Sequence, residues 1–269
     1  MPELPEVETI RRGLEKELKD AVIARFEVRD PRLLSSAIAK KWQRRLTGKT
    51  LKSFQRFGKY LEIVLSGGDR LIVHLRMTGQ LLVQSTTKPP MVWRMRVQFT
   101  DHRTLFFVDQ RRFGEIWLLG PKETGPAKQP LGPDALDVSL KIFQTQVRLK
   151  KGPIQAVLLD QSVLAGIGNI YAQEALFKAG IRPSRKIPRL TLQEITALHK
   201  ALNVTLHAAI QARGSSSRNY RDIYGEEGSA QTAHAVYRKT GCPCTRCKTP
   251  LRGTRVGGRG TVYCPTCQS

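Results

Sequence analysis

Between Glu6 and Leu18 the apolar residues Val7, Ile10, Leu14 and Leu18 recur at steps of three and four. That spacing predicts a helix laying one stripe on a core. Further along the period changes to two: Trp93, Met95, Val97 and Phe99 alternate with Arg94, Arg96 and Gln98, and similar short strands are readable at 60–66, 70–76, 81–84 and 104–119. Several short strands with turn signals predict a sandwich or barrel. The stretch GPKETGPAKQPLGPD (120–134) sets four prolines among glycines, sustains neither period, and reads as an interdomain linker over 121–134. Beyond it the pattern is helical at 139–150, 153–164, 169–179 and 191–212, the last with Leu192, Ile195, Leu198, Leu202, Leu206 and Ile210 on one side. Strands first and helices second describe an α+β chain in two domains. GSSSRNYRDIYGEEGSAQ (214–231) has too little apolar periodicity for an element and reads as a mobile loop.

A chain of 269 residues with 40% hydrophobic content is long enough for two cores. Charge narrows the partner. Forty-five Lys and Arg against 22 Asp and Glu give a formal charge of +23, with an isoelectric point near 10.4. This points to a polyanion. No apolar run approaches the roughly 18 residues of a spanning helix, and the acidic N-terminus does not resemble a signal peptide. The basic residues are interspersed with apolar ones, unlike a disordered basic tail. Nucleic acid is therefore the expected partner and an intracellular location the expected one, with no membrane association. Residues 213–269 alone hold ten Lys and Arg against three acids.

Four of the five cysteines form Cys244-x2-Cys247-x16-Cys264-x2-Cys267. Two such knuckles can bring four thiolates into a tetrahedron around one zinc ion. A pair of disulfides is the competing reading, which a reducing cytoplasm disfavours. Cys242, two residues before the first ligand, is an alternative ligand or a bystander, and we read it as a bystander.

Pro5 and the acids after it make an ordinary helix start, but that does not account for Pro2 and Glu3. Once Met1 is removed, Pro2 carries a free secondary amine beside a carboxylate. In VLAGIGNIYAQEAL (163–176) a glycine-rich turn opens into a helix at Asn169. This is either a phosphate cradle or a simple turn between helices. HLRMTG (74–79) and DQRRFG (109–114) place Met77, Arg111 and Phe113 near turns, where they can wedge into a duplex or serve as ordinary packing. Lys59 follows a glycine just ahead of a strand and, unaided, reads as a surface lysine. His74 in LIVHL reads as a satisfied strand residue, and the histidines show no ligand spacing. No Ser-His-Asp arrangement, P-loop or dinucleotide fingerprint is present, so no nucleotide cofactor is expected.

Together, MPELPEVET, FGKYL, HLRMTG, DQRRFG, LGPDAL, LLDQSVLAGIGNIYAQEAL and GGRGTVYCPTCQ resemble, in order and over essentially the whole chain, the bacterial formamidopyrimidine-DNA glycosylase family, grouped with endonuclease VIII. The resemblance implies an N-terminal β-sandwich domain (1–120), the linker (121–134), a helical domain with a helix-two-turn-helix motif (135–237, with a lesion loop at 214–231) and a zinc-finger β-hairpin (238–269). It implies a bifunctional DNA glycosylase and AP lyase that excises oxidised purines from damaged double-stranded DNA. Pro2 would be the nucleophile, Glu3 the general acid and Glu6 a residue that orders the site. Lys59, Asn169 and Arg259 would clamp phosphates, and His74 would join the DNA contacts. Met77, Arg111 and Phe113 would fill the gap left by a flipped nucleotide. The zinc ion would be structural, and the enzyme a monomer in the bacterial cytoplasm, associated with the nucleoid through DNA.

PELPE at the start, with Arg111 and Phe113, favours the purine branch over the endonuclease VIII branch, which prefers oxidised pyrimidines. A non-catalytic zinc-finger DNA-binding protein is the rival from another class. Two positions depart from the family pattern: Arg213 stands where glycine is common, at the entry to the lesion loop, and Cys242 is an addition beside the first zinc ligand.

Overall fold

The computed structural model describes residues 1–84, 90, 92–125, 130–216 and 219–269. Part of the expected linker, 126–129, and two residues of the expected lesion loop, 217 and 218, lie outside the described residues. The chain divides into two compact units, Met1–Pro126 with Ala212–Ser229, and Ala127–Gln211 with Ala230–Ser269.

The first unit begins with α1 (Leu4–Leu18), whose Val7, Ile10, Leu14 and Leu18 are all buried. Two antiparallel four-stranded sheets follow. One runs β1 (Ile23–Val28), β6 (Met95–Phe99), β7 (Thr104–Asp109) and β5 (Gly79–Gln84); the other runs β2 (Leu51–Phe57), β3 (Tyr60–Leu65), β4 (Arg70–His74) and β8 (Glu115–Leu119). Phe26, Leu81, Val97 and Phe107 of the first sheet share one apolar core with Phe54, Leu61, Ile63 and Val73 of the second and with the α1 stripe. The architecture is a β-sandwich with a helix closing it.

Three elements here, α2, β1 and β2, have no counterpart in the periodicity. Helix α2 (Ser36–Leu46) buries only Leu46 and leaves Ile38 exposed, so it carries almost no apolar stripe. Its task is different: Gln43 Oε1 accepts the Phe26 amide of the edge strand β1, and Trp42 packs on Phe26 with ring centroids 5.9 Å apart. A covered edge cannot recruit a foreign strand. Strands β1 and β2 were hidden because their registers shift, between Ile23 and Arg25 and between Leu51 and Ser53, which breaks the alternation.

The second unit is helical: α3 (Leu140–Arg148), α4 (Ile154–Leu159), α5 (Asn169–Ala179) and α6 (Leu192–Gln211), followed by the hairpin β9 (Arg252–Val256) and β10 (Arg259–Tyr263). Helix α4 is shorter than the 153–164 expected. Asp160 ends it, because its Oδ1 accepts both the amide and the hydroxyl of Ser162 and so builds a turn. Among the described residues no helix is long and apolar enough to cross a membrane.

One charged cluster sits inside the first unit. The Glu8 carboxylate, 5% exposed, takes hydrogen bonds from Arg11 at 2.9 and 3.0 Å, Arg12 at 2.8 Å and the buried Arg56 at 3.1 Å. Burial works against this carboxylate, but the hydrogen bonds from Arg11 and Arg12 and the charges of Arg11 and Arg56 outweigh it and hold its pKa down at about 2. A depressed carboxyl contributes stability that is present above the unfolded value near 4.5 and lost as pH falls through about 2. Glu8→Gln should cost on the order of 3 kcal/mol at neutral pH, because it removes the buried charge that Arg11, Arg12 and the buried Arg56 share. Urea unfolding measured from pH 7 to pH 2 should show the wild-type loss across that acid window largely flattened in the variant.

Candidate active site and zinc module

In the first unit, Pro2 and Glu3 are buried at the head of α1. Glu3 is the residue before the first helical turn, so its amide has no partner within the helix. Glu6 supplies one: its Oε2 accepts the Glu3 N–H at 2.7 Å, while its Oε1 accepts the Ser215 N–H at 2.8 Å. One buried carboxylate thus holds both the chain start and the entry of the 212–229 segment. Gly214, at φ +81°, makes this possible, since a Cβ there would stand 2.9 Å from Glu6 Cγ. The same segment is fixed further along. Val83 N–H donates to Ile223 O at 2.8 Å, Tyr224 hydroxyl donates to Glu17 at 2.7 Å, and Ile223 fills the space that Gly13 leaves on α1.

Lys59 lies in a two-residue turn, Gly58–Lys59, between the paired residues Phe57 and Tyr60. Gly58 takes φ +58°, as such a hairpin requires. Arg56 Nη1 donates to the Gly58 carbonyl at 3.1 Å while its Nε is held by Glu8. The buried ion cluster therefore fixes the turn that presents Lys59. His74, opposite Tyr60 in the ladder, packs edge-on against its ring at 4.6 Å. Its Nδ1 accepts the Arg76 amide at 3.1 Å. Burial, then the charges of Arg76 and Lys59, push its pKa down to about 3, so the ring is neutral with its proton on Nε2. His74 can offer a phosphate one N–H but no charge.

The HLRMTG and DQRRFG turns are tied together. Asp109 is fully buried; Thr78 hydroxyl donates to its Oδ1, and Gly114 N–H donates to its Oδ2 at 2.7 Å. Arg94, also buried, bridges Asp109 at 3.2 Å, the Gly114 carbonyl at 3.2 Å and Asp30 at 3.0 Å. The Arg111 amide donates to Thr78 Oγ1 at 3.2 Å. A Cβ on Gly114 would stand 2.4 Å from Phe107 Cζ. This buried frame leaves Arg111 and Phe113 outside, Phe113 52% exposed with the Arg111 guanidinium 4.9 Å over its ring. Met77 is half-buried in the neighbouring turn. Unaided packing odds would place Phe113 in a core; the structure puts it at the surface.

In the second unit, Asn169 is the first residue of α5, after Gly168 in extended backbone. Its Nδ2 donates to the Gly260 carbonyl at 2.9 Å and its Oδ1 accepts from Gln155 at 2.8 Å. Gln173, one turn on, donates to the same carbonyl and accepts the Val262 amide at 2.8 Å. Amides of α5 thus seat the β9–β10 hairpin, whose Gly257–Gly258 turn has positive φ at both residues. Arg259 follows at the surface. A cleft of about 610 Å³ lined by Asn169, Arg238, Arg255 and Gly260 opens beside it.

The Sγ atoms of Cys244, Cys247, Cys264 and Cys267 all lie within 4.8 Å of one another. Cys247 and Cys264 are 3.4 Å apart and Cys244 and Cys267 3.9 Å. Tetrahedral zinc with bonds of about 2.3 Å needs sulfurs roughly 3.7 Å apart, so the set fits the ion. Amides of Arg246 and Cys267 donate to Cys244 and Cys264, as thiolates need. Cys242 is exposed and outside the cluster. Four sulfurs fill the coordination sphere, which makes the ion structural: it would cross-link the two ends of the module around the hairpin.

Residues 1–116 match the formamidopyrimidine-DNA glycosylase N-terminal domain, 131–221 the H2TH domain of the same enzymes, and 241–269 the zinc finger found in FPG and IleRS. The chain belongs to the formamidopyrimidine-DNA glycosylase family. The formamidopyrimidine-DNA glycosylase of Streptococcus pneumoniae is 39% identical over all of this chain and 99% of its own length, and that of Herpetosiphon aurantiacus is 40% identical over the whole of both. Among solved structures, Fpg of Lactococcus lactis with abasic-site DNA superposes with a TM-score of 0.90 at 35% identity, covering 99% of each chain. The MutM (Fpg) protein of Thermus thermophilus reaches 0.87 at 37% identity, covering 99% of this chain and 98% of its own. Membership makes the chain a DNA glycosylase by class, with a zinc-binding finger.

Sequence reasoning missed the residues that hold this site: Glu8, Arg56, Asp109 and Arg94, and also Glu174, whose carboxylate accepts the amides of Ala235, Val236 and Tyr237. A charged residue inside an apolar stripe, as Glu174 is in α5, was the available signal. Metal analysis of purified protein should give about one zinc per chain, falling to none in Cys264→Ser. Chelation should expose 238–269 to proteolysis while the first unit retains its thermal transition.

Proposed function

We propose that this chain is a monomeric, bifunctional DNA glycosylase and AP lyase that removes oxidised purines, 8-oxoguanine and formamidopyrimidines, from duplex DNA in the bacterial cytoplasm. The observation that carries this reading is the buried Pro2–Glu3 start, with the Glu3 amide clamped by Glu6, in a chain matched to the family from end to end. A related Lactococcus lactis structure holds DNA containing Fapy-dG, and that substrate class is carried over here.

Removal of Met1 frees the Pro2 amine. An α-amino group has a reference pKa of about 7.7 to 8, against about 10.4 for lysine, so far more of it is unprotonated at neutral pH. The amine attacks C1′, the glycosidic bond breaks toward the departing base, and the nitrogen loses its proton. Glu3 donates a proton to the sugar ring oxygen, the C1′–O bond opens, and an iminium ion remains. That cation acidifies the neighbouring C–H; loss of the proton expels the 3′ phosphate, and a second elimination expels the 5′ phosphate. Lys59, Asn169 and Arg259 neutralise phosphates flanking the lesion, and neutral His74 donates its Nε2–H to one. Phe113 and Met77 enter the stack as apolar wedges, and Arg111 offers donors to the orphaned base. The rigid frame beneath the wedge turn suits this role, because an inserted ring that could fold away would not hold the gap open.

Borohydride should trap a covalent complex on a duplex carrying 8-oxoguanine opposite cytosine and not on undamaged DNA. Pro2→Gly, which replaces the secondary prolyl amine with a primary one, should suppress base excision, and Glu3→Gln should lower it on the order of 10²-fold or more, while both still bind an abasic-site analogue. Loss of binding in step with excision would make those residues structural. Trapping on thymine glycol in preference to 8-oxoguanine would move the protein to the pyrimidine branch.

A further inference from the structure

On the first unit, an open trough of about 760 Å³ runs between β1, α2 and the approach to β6. Arg25 and Arg29 line it from β1 and its end, Lys40 and Arg44 from α2, and Arg96 from β6. Its one acid is Glu27, and that carboxylate is already engaged by Arg25 and Arg96. Arg29, Lys40 and Arg44 are exposed and have no acidic partner among the described residues. Three uncompensated cations on one wall set are costly to the fold through mutual repulsion unless an anion arrives.

Trp93 forms the floor of the arrangement. Arg96 lies 5.1 Å and Arg29 5.8 Å from its ring centroid. A guanidinium held against an aromatic ring has its orientation fixed while its in-plane N–H groups stay available, the geometry suited to phosphate. Lys40 and Arg44 are one helical turn apart and so face the same way. A second cleft of about 280 Å³ shares Arg29 and Trp93 and reaches Arg112 of the wedge turn. The two clefts therefore connect α2 to the DQRRFG turn, with one carboxylate between them, Asp30, which Arg94 and Arg112 already engage.

We propose that this trough is a second nucleic-acid contact, taking the sugar–phosphate backbone of a DNA strand away from the reacting nucleotide. An extended run of spaced cations with an aromatic floor fits a repeating phosphodiester better than a single phosphate group. The DNA reading above supplies the identity of the polyanion. The backbone comes either from the far flank of the lesion-bearing duplex or from another DNA segment, and the second source would let one molecule bridge two segments.

The test compares wild type with the triple variant Arg29→Ala/Lys40→Ala/Arg44→Ala, and with Lys40→Ala alone, which changes one exposed helix residue. Binding is measured against salt on duplexes of about 12 and about 40 base pairs, and the triple variant should lower the log–log salt slope on the long duplex by about 2 to 3, and the single variant by about 1. Thermal midpoints should match wild type, and borohydride trapping on a saturating lesion duplex should persist. A loss confined to the long lesion-bearing duplex assigns the flank. Equal losses at both lengths, with wild type but not the variant capturing a second labelled duplex, assign a separate segment. An unchanged slope in a folded triple variant overturns the proposal. So does an equal change in a control triple, Lys141→Ala/Arg148→Ala/Lys200→Ala, on the helices of the other unit. If wild type never forms a trapped complex yet the slope changes as stated, the catalytic reading fails and the trough stands.

Discussion

The Glu6 carboxylate is the constraint on which the arrangement of the first unit turns. It is 1% exposed, and one oxygen takes the Glu3 amide while the other takes the Ser215 amide. A buried carboxylate without such donors would cost several kcal/mol, so both segments must come to it for the helix start to be stable. The effect is to make a local cap into a long-range tie across more than 200 residues of chain. Any displacement of the 212–229 segment strips a donor from Glu6, and Glu6 in turn sets the backbone of Glu3. Loop order and the geometry of the chain start are energetically one quantity.

The same device recurs beneath the other candidate contact residues, whether exposed like Phe113 or buried like Lys59. Asp109 and Arg94 are buried so that Arg111 and Phe113 can be outside yet fixed. Glu8 and Arg56 hold the carbonyl of the turn that carries Lys59. Gln155 and Gln173 hold Asn169 and the hairpin strand that begins with Arg259. A loop held only by its own backbone would let these groups wander, and phosphate contacts or an inserted ring lose their worth when their position is not fixed in advance. The buried polar groups inside this strongly basic chain thus hold its candidate contact residues in position.

Much of the candidate site was legible in the sequence because its motifs are local: a proline–acid start, a GxG turn into a helix, paired CxxC knuckles. Strands β3 to β8 and the long helices were legible because their stripes follow periods of two and of three to four. What stayed hidden depends on distant partners. Helix α2 has no apolar stripe to read, since its work is a glutamine and a tryptophan on a strand edge. Strand β1 breaks its own alternation at Arg25. The 214–231 stretch shows no period, yet Tyr220 and Ile223 are buried in the sandwich core. Its anchors, Glu6, Gly13 and Val83, are all far away in sequence.

Arg213 shows how backbone strain can be compensated. It adopts φ +57°, next to Gly214 at +81°, and a residue with a Cβ gives up about 1 kcal/mol or more in that region. Its side chain supplies an offset that glycine could not: Nη1 lies 3.2 Å from the buried carboxylate of Asp222, and Nη2 3.8 Å from Glu226. Asp222 Oδ1 meanwhile accepts the amides of Tyr224 and Glu226 and so shapes the turn at the far end of the segment. Arg213 therefore ties the entry of the segment to its tip, where glycine would leave the buried Asp222 charge to be balanced by other groups. A strained backbone that carries its own counter-charge favours one loop conformation over an ensemble. Segment order in this protein should accordingly be sensitive to ionic strength, to the extent that the half-exposed guanidinium of Arg213 is screened.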